Sequence, residues 1–173
     1  MTDRRPPIVN LDELTLKATS KGRDFASRSA RIGAVLQMSD LGAQYFEVPA
    51  GKSAFPRHNH HCNEEFFVIL AGSGKYRMGD QEWPVRAGDV IAAPAGDAST
   101  AHRLTNTGSD DLRYLVISTR HDPDVVEYPD SGKLLVAAGI PPGQGLLSAR
   151  FRHIGWLGQD PDYWANEPGA EAE

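Results

Sequence analysis

The chain has 173 residues, 40% of them hydrophobic, and a formal net charge of −5. That length suits one domain with tails and supports a proper hydrophobic core. An acidic balance without a basic cluster argues against nucleic acid, because phosphate binding needs a concentrated Lys/Arg footprint, and no apolar run is long enough to span a bilayer. The N-terminal "MTDRRPPIVNLDEL" has two arginines but no apolar segment, so it does not read as a secretory signal. The single cysteine, Cys62, cannot form an internal disulfide. A soluble, cytoplasmic protein is the expectation.

In chain order, the first thirty residues are polar and weakly patterned. Pro6 and Pro7 bar a helix, so residues 1–30 read as an extended arm. From Arg31 onward short apolar runs alternate with Gly, Pro and Asp: "RIGAVLQM", "QYFEVPAGKS", "EEFFVILAGSG", "VIAAPAG", "LRYLVIST". Short strands with regular turn signals predict an all-β barrel or sandwich over 31–120. The clearest hairpin is "YRMGDQEW", where Gly79-Asp80 can supply a tight turn. No window carries a convincing capped helix. Residues 121–173 read as a C-terminal extension packed on the barrel, burying Trp156, Tyr163 and Trp164.

The chemistry concentrates in "PRHNHHCNEEFFVILAG", residues 56–72. His58 and His60 are two apart, so on a strand they share a face. Glu65 lies at odd parity to them, so "HCN" must hold a turn or bulge, and Glu65 opens the next strand. Glu65, Phe67 and Ile69 then share one face, and Phe66, Val68 and Leu70 the other. Both faces are apolar, which implies burial on both sides. A carboxylate on such a strand is costly unless paired or bound to a cation. Two facing imidazoles with a divalent metal between them would compensate it. His102, after the turn in "PAGDASTAHRLTN", is the best further ligand. Three imidazoles and a carboxylate suit a first-row transition ion with positions left for water or substrate.

These stretches resemble the paired motifs of the cupin superfamily. The first runs Gly51, six residues, His58-Asn59-His60, four residues, Glu65, six residues, Gly72. The second runs Gly88, five residues, Pro94-Ala95-Gly96, five residues, His102, three residues, Asn106. The leading spacer is one residue longer than the family pattern, and the gap before His102 is three longer. It stays open whether "DASTA" displaces His102 or enlarges a loop over the pocket. The resemblance covers about residues 44–118, and "VVEYPDSGK" and "DYW" also resemble bacterial single-domain proteins of the cupin-2 type. It implies a double-stranded β-helix, or jelly-roll barrel, holding a divalent metal (Zn, Mn, Fe or Ni) on His58, His60, Glu65 and His102.

Tyr45, Phe67, Tyr76 and His61 are the candidate pocket residues, although His61 should point away from the metal face. No catalytic residue is assigned: Glu47, His61 and Tyr76 would serve as a base only if turned inward. Cys62 reads as a bystander. The expected function is a metal-binding cupin that takes a small anionic or sugar-like ligand. The alternatives are a metal-dependent enzyme, such as a dioxygenase or sugar isomerase, and a metal-free, non-catalytic binding module. The N-terminal segment is too poor in helix signals for a DNA-bound regulator. The doubly apolar strand 65–71 needs cover, so a homodimer is the expected assembly, with exchanged arms as one route.

Overall fold

The computed structural model describes residues 7–170. Its thirteen strands are β1 (Lys17–Lys21), β2 (Phe25–Arg31), β3 (Leu41–Val48), β4 (Asn59–His60), β5 (Glu65–Ala71), β6 (Ser73–Met78), β7 (Gln81–Arg86), β8 (Val90–Ala93), β9 (His102–Asn106), β10 (Leu112–Thr119), β11 (Asp124–Tyr128), β12 (Lys133–Ala138) and β13 (Phe151–Trp156). One short helix, α1 (Ile32–Val35), bridges β2 and β3. No described helix is long and apolar enough to cross a membrane.

One wall is a six-stranded sheet in the order β1-β2-β3-β10-β5-β8. The opposite wall comprises β13-β12-β11-β4 and β7-β6-β9. These two pieces meet where His58 bridges His102, with backbone bonds of 3.1 Å and 2.8 Å running both ways. The result is the jelly roll expected from the turn spacing. The hairpin at Gly79-Asp80 joins β6 to β7, and Gly79 takes the positive φ of +56° such a turn requires.

The core follows strand alternation. Phe46 and Val48 of β3, Phe67 and Ile69 of β5, Tyr76 of β6, Leu104 of β9, and Leu112 and Tyr114 of β10 form one buried cluster. Val126, Leu135 and Ala137 form a second, smaller one under the C-terminal strands.

Strands near both ends of the described residues belong to the sheets. β1 and β2, within the segment read as an arm, extend the first wall through a β2–β3 ladder. β11 and β12, within the segment read as an extension, form a wall of the barrel through the β11–β4 pairing. Two expectations of burial fail. Phe66 and Leu70, on the outer face of β5, stay 43% and 39% exposed. Trp156, Tyr163 and Trp164 are exposed as well, because β13 is the outermost strand of its sheet and the tail beyond it crosses no core.

Candidate metal centre

His58, His60 and Glu65 converge inside the barrel, their ligand atoms all within 4.8 Å of one another. Three independent features of the chain bring them together. The His58–His102 bridge sets two imidazoles side by side, with ring centroids 4.9 Å apart. The β4–β11 pairing, Val126 opposite His60, fixes the third. The turn at His61–Glu64 resets parity so that Glu65 opens β5 facing inward, in line with Phe67 and Ile69. His102 joins the group through Glu65, its Nε2 lying 3.0 Å from Glu65 Oε2. The extra residues before it fold into a one-turn 3-10 helix, Ala98–Thr100, capped by Asp97. They are taken up as a loop, and His102 remains beside Glu65.

The orientation of each ring is set from behind. His58 Nδ1 lies 2.9 Å from the Pro56 carbonyl, His60 Nδ1 2.6 Å from Asp124 Oδ2, and His102 Nδ1 3.3 Å from the Thr100 carbonyl. All three partners are acceptors, so each Nδ1–H donates backward, and a ring in its neutral form turns an Nε2 lone pair inward. Those lone pairs meet a carboxylate. His60 Nε2 is 4.0 Å from Glu65 Oε2 and His102 Nε2 is 3.0 Å from it. Acceptors converging on acceptors in a buried site call for a cation or an added proton between them. The donor set therefore fits a divalent transition metal.

The electrostatics agree. Burial holds the His58 imidazole down at about 4, so it stays neutral near pH 7. Burial works against the charge of Glu65, but the His102 hydrogen bond and the three imidazoles override it and hold the carboxyl at about 2. Burial also opposes charge on His60, yet its hydrogen bond to Asp124 and the charges of Glu65 and Asp124 raise it above the ordinary histidine value.

Around this centre lies a cavity of about 560 Å³, within the range of small-molecule sites. Phe67 lines it, as do Phe55 and Tyr128, the latter stacked near His58 with centroids 6.1 Å apart. Three other candidate pocket residues lie outside it. Tyr45 faces away from its core neighbour Phe46 and donates to Glu47 at 3.0 Å. Tyr76 is buried behind His102, its ring stacked at 5.9 Å. His61 points to the other side of β4, toward Glu127 at 3.3 Å. Cys62 is exposed in the turn.

Sequence reasoning overlooked Asp124, which is 1% exposed and orients His60. The signal was present in "DVVEY": alternation puts Asp124, Val126 and Tyr128 on one face, an acid leading an apolar stripe.

Comparison with known proteins fits this architecture. Residues 44–118 match the Cupin domain family. Together with the jelly-roll fold, that match supports the cupin superfamily. Auxin-binding protein 1 of Arabidopsis thaliana is 31% identical over 134 residues, 72% of this chain and 65% of that protein. An oxalate-binding protein of Thermotoga maritima is 32% identical over 71 residues, 41% of this chain and 55% of that one. The chain thus spans less than two thirds of the length of either relative. Among solved structures, a sugar phosphate isomerase of the cupin superfamily from Silicibacter pomeroyi superposes with a TM-score of 0.74 at 22% identity, covering 90% of this chain and 96% of that one. At that identity the likeness shows the fold.

Proposed function

We propose that the chain binds one divalent transition metal on His58, His60, Glu65 and His102, and through it a small anionic, oxygen-rich ligand. The carrying observation is the convergence of the inward ring nitrogens on the Glu65 carboxylate, each ring held by an Nδ1 contact from behind. With three neutral imidazoles, the +2 of the ion and the −1 of Glu65 leave a site of net +1, which favours an anion. The similarity to an oxalate-binding protein supports a ligand of that charge. When bound, the ion would act as a Lewis acid toward a ligand oxygen. The chain's own residues orient it: Asp124 holds His60, and Phe67 and Tyr128 dry the walls.

A metal-dependent isomerase or dioxygenase is the enzymatic form of this reading, and a metal-free binding barrel is its rival. The single exposed thiol, Cys62, favours a reducing, cytoplasmic setting. Elemental analysis of wild type beside His60→Ala, dialysed without chelator, separates the two. About one Zn, Mn, Fe or Ni per chain, lost in the variant, supports the metal site. Protein that is metal-free in both forms and gains no thermal stability from any of these ions refutes it.

A further inference from the structure

We infer that the wall of the cavity formed by Arg31 and Arg120 is a phosphate-binding subsite for part of the ligand. This deepens the small-anion reading above by naming a second group on the ligand. Both arginines line the same cavity as His58, His60, His102 and Glu65. Arg31 ends β2, immediately before α1, and Arg120 directly follows β10.

The two like charges face one space with no acid between them. Among the described residues, neither arginine has a carboxylate within 4.0 Å. Asp122 also lines the cavity, but its two oxygens accept the backbone N–H groups of Gly139 and Ile140 at 2.9 Å and 2.8 Å. Arg120 donates to the carbonyls of Gln144 and Pro141, both at 3.2 Å, and so pins the loop at 141–148. The Arg31 guanidinium makes no hydrogen bond to any described residue. Its guanidinium instead lies against Gly145, where an added Cβ would overlap it. Arg31 stays in contact with solvent, and partial desolvation with the charge of Arg120 disfavours its protonated form.

Two like charges lining one cavity, with no carboxylate within 4.0 Å of either, attract an anion. Two guanidiniums match a dianionic phosphate monoester better than a monoanionic carboxylate, because each planar fork can engage two oxygens. Gly145 is then the residue that lets Arg31 lie flat against the loop and present its remaining N–H groups inward.

Calorimetric titration of chelator-stripped, full-length protein with inorganic phosphate tests this, with acetate as the carboxylate probe. Removing the metal keeps the two readings apart: failure of the metal site leaves the result untouched, and failure here leaves elemental analysis untouched. Phosphate should bind wild type, acetate should bind about tenfold or more weakly, and Arg31→Gln should weaken phosphate by about tenfold or more. Gly145→Ala, which displaces the same guanidinium without altering charge, should reproduce the loss and stands in if Arg31→Gln melts early. Absence of phosphate binding overturns the subsite, as does acetate binding that equals phosphate. Phosphate binding unchanged in the folded variants overturns it equally.

Discussion

His58 and His102 are cross-strand partners: the amide of each donates to the carbonyl of the other, at 3.1 Å and 2.8 Å. That pairing closes the seam between the two sheets of one wall and sets two imidazoles side by side in the same step. Chemistry and architecture share a backbone contact here, so the position of these rings does not depend on side-chain packing alone. His60 differs. Its strand is two residues long, and its ring is aimed by one carboxylate, Asp124.

Asp124→Asn should therefore loosen the metal without unfolding the barrel. The amide keeps the shape but loses the charge that holds the His60 Nδ1 proton at 2.6 Å. Orienting partners of this kind are worth about 10–100-fold in metal affinity. Competition against a chromophoric chelator measures it, with circular dichroism as a check on folding. An affinity equal to wild type would show that His60 needs no support from β11.

Metal-free protein should lose stability in acid in two steps. His58 binds its proton at about 4 when folded, against about 6.5 when unfolded, so the unfolded chain takes up the proton first. This contribution is intact above about 6.5 and is lost as the pH falls toward 4. Glu65, held at about 2, adds a second loss between about 4.5 and 2. His60, raised when folded, runs the other way and offsets part of the first step. At about 1.4 kcal/mol per pH unit, the His58 step alone amounts to about 3 kcal/mol. Urea midpoints of wild type and His58→Phe between pH 7 and 4 test it. The variant curve should be the flatter, and parallel curves would remove His58 from the account.

Much of the barrel could be read from the sequence because strand parity and turn residues are local. Glu65, Phe67 and Ile69 face inward as their spacing requires, and Gly79 turns where a hairpin was expected. His102 stays beside Glu65 because its five preceding residues close into a 3-10 turn, a tertiary outcome that the spacing alone left open. The alternation of "DVVEY" faces Asp124 inward, but its partner, like the Arg31–Arg120 pairing, was out of reach of the sequence. Each pairing joins segments far apart in the chain, and a 64-residue separation between His60 and Asp124 leaves no periodic trace. The tail aromatics misled because a large apolar residue signals a need for cover without saying what provides it.

The outer face of β5 and β8 makes that need specific. Phe66, Leu70 and Val90 are 43%, 39% and 62% exposed on neighbouring strands. We propose that a second copy covers them, forming a two-fold dimer. Light scattering should give about twice the chain mass for wild type, and a charged Val90→Lys or Phe66→Lys should shift it toward one. A monomeric wild type at tens of micromolar would count decisively against the dimer.

Tyr76 offers a test inside the barrel. Its hydroxyl is buried with no hydrogen-bond partner among the described residues, and burial with the charge of Glu65 drives its ionisation well above the ordinary tyrosine value. Its ring stacks on His102, so the aromatic body supports the site while the hydroxyl contributes only a desolvation cost. An unmet buried hydroxyl costs about 1–3 kcal/mol. Tyr76→Phe keeps the stacking and removes that cost, so chemical denaturation should find the variant as stable as wild type or more so, by about 1 kcal/mol. Metal content should not change, since Phe preserves the ring against His102. A loss of stability greater than about 1 kcal/mol would mean that the hydroxyl has a partner in solution, such as a bound water, and would make Tyr76 part of the polar lining after all.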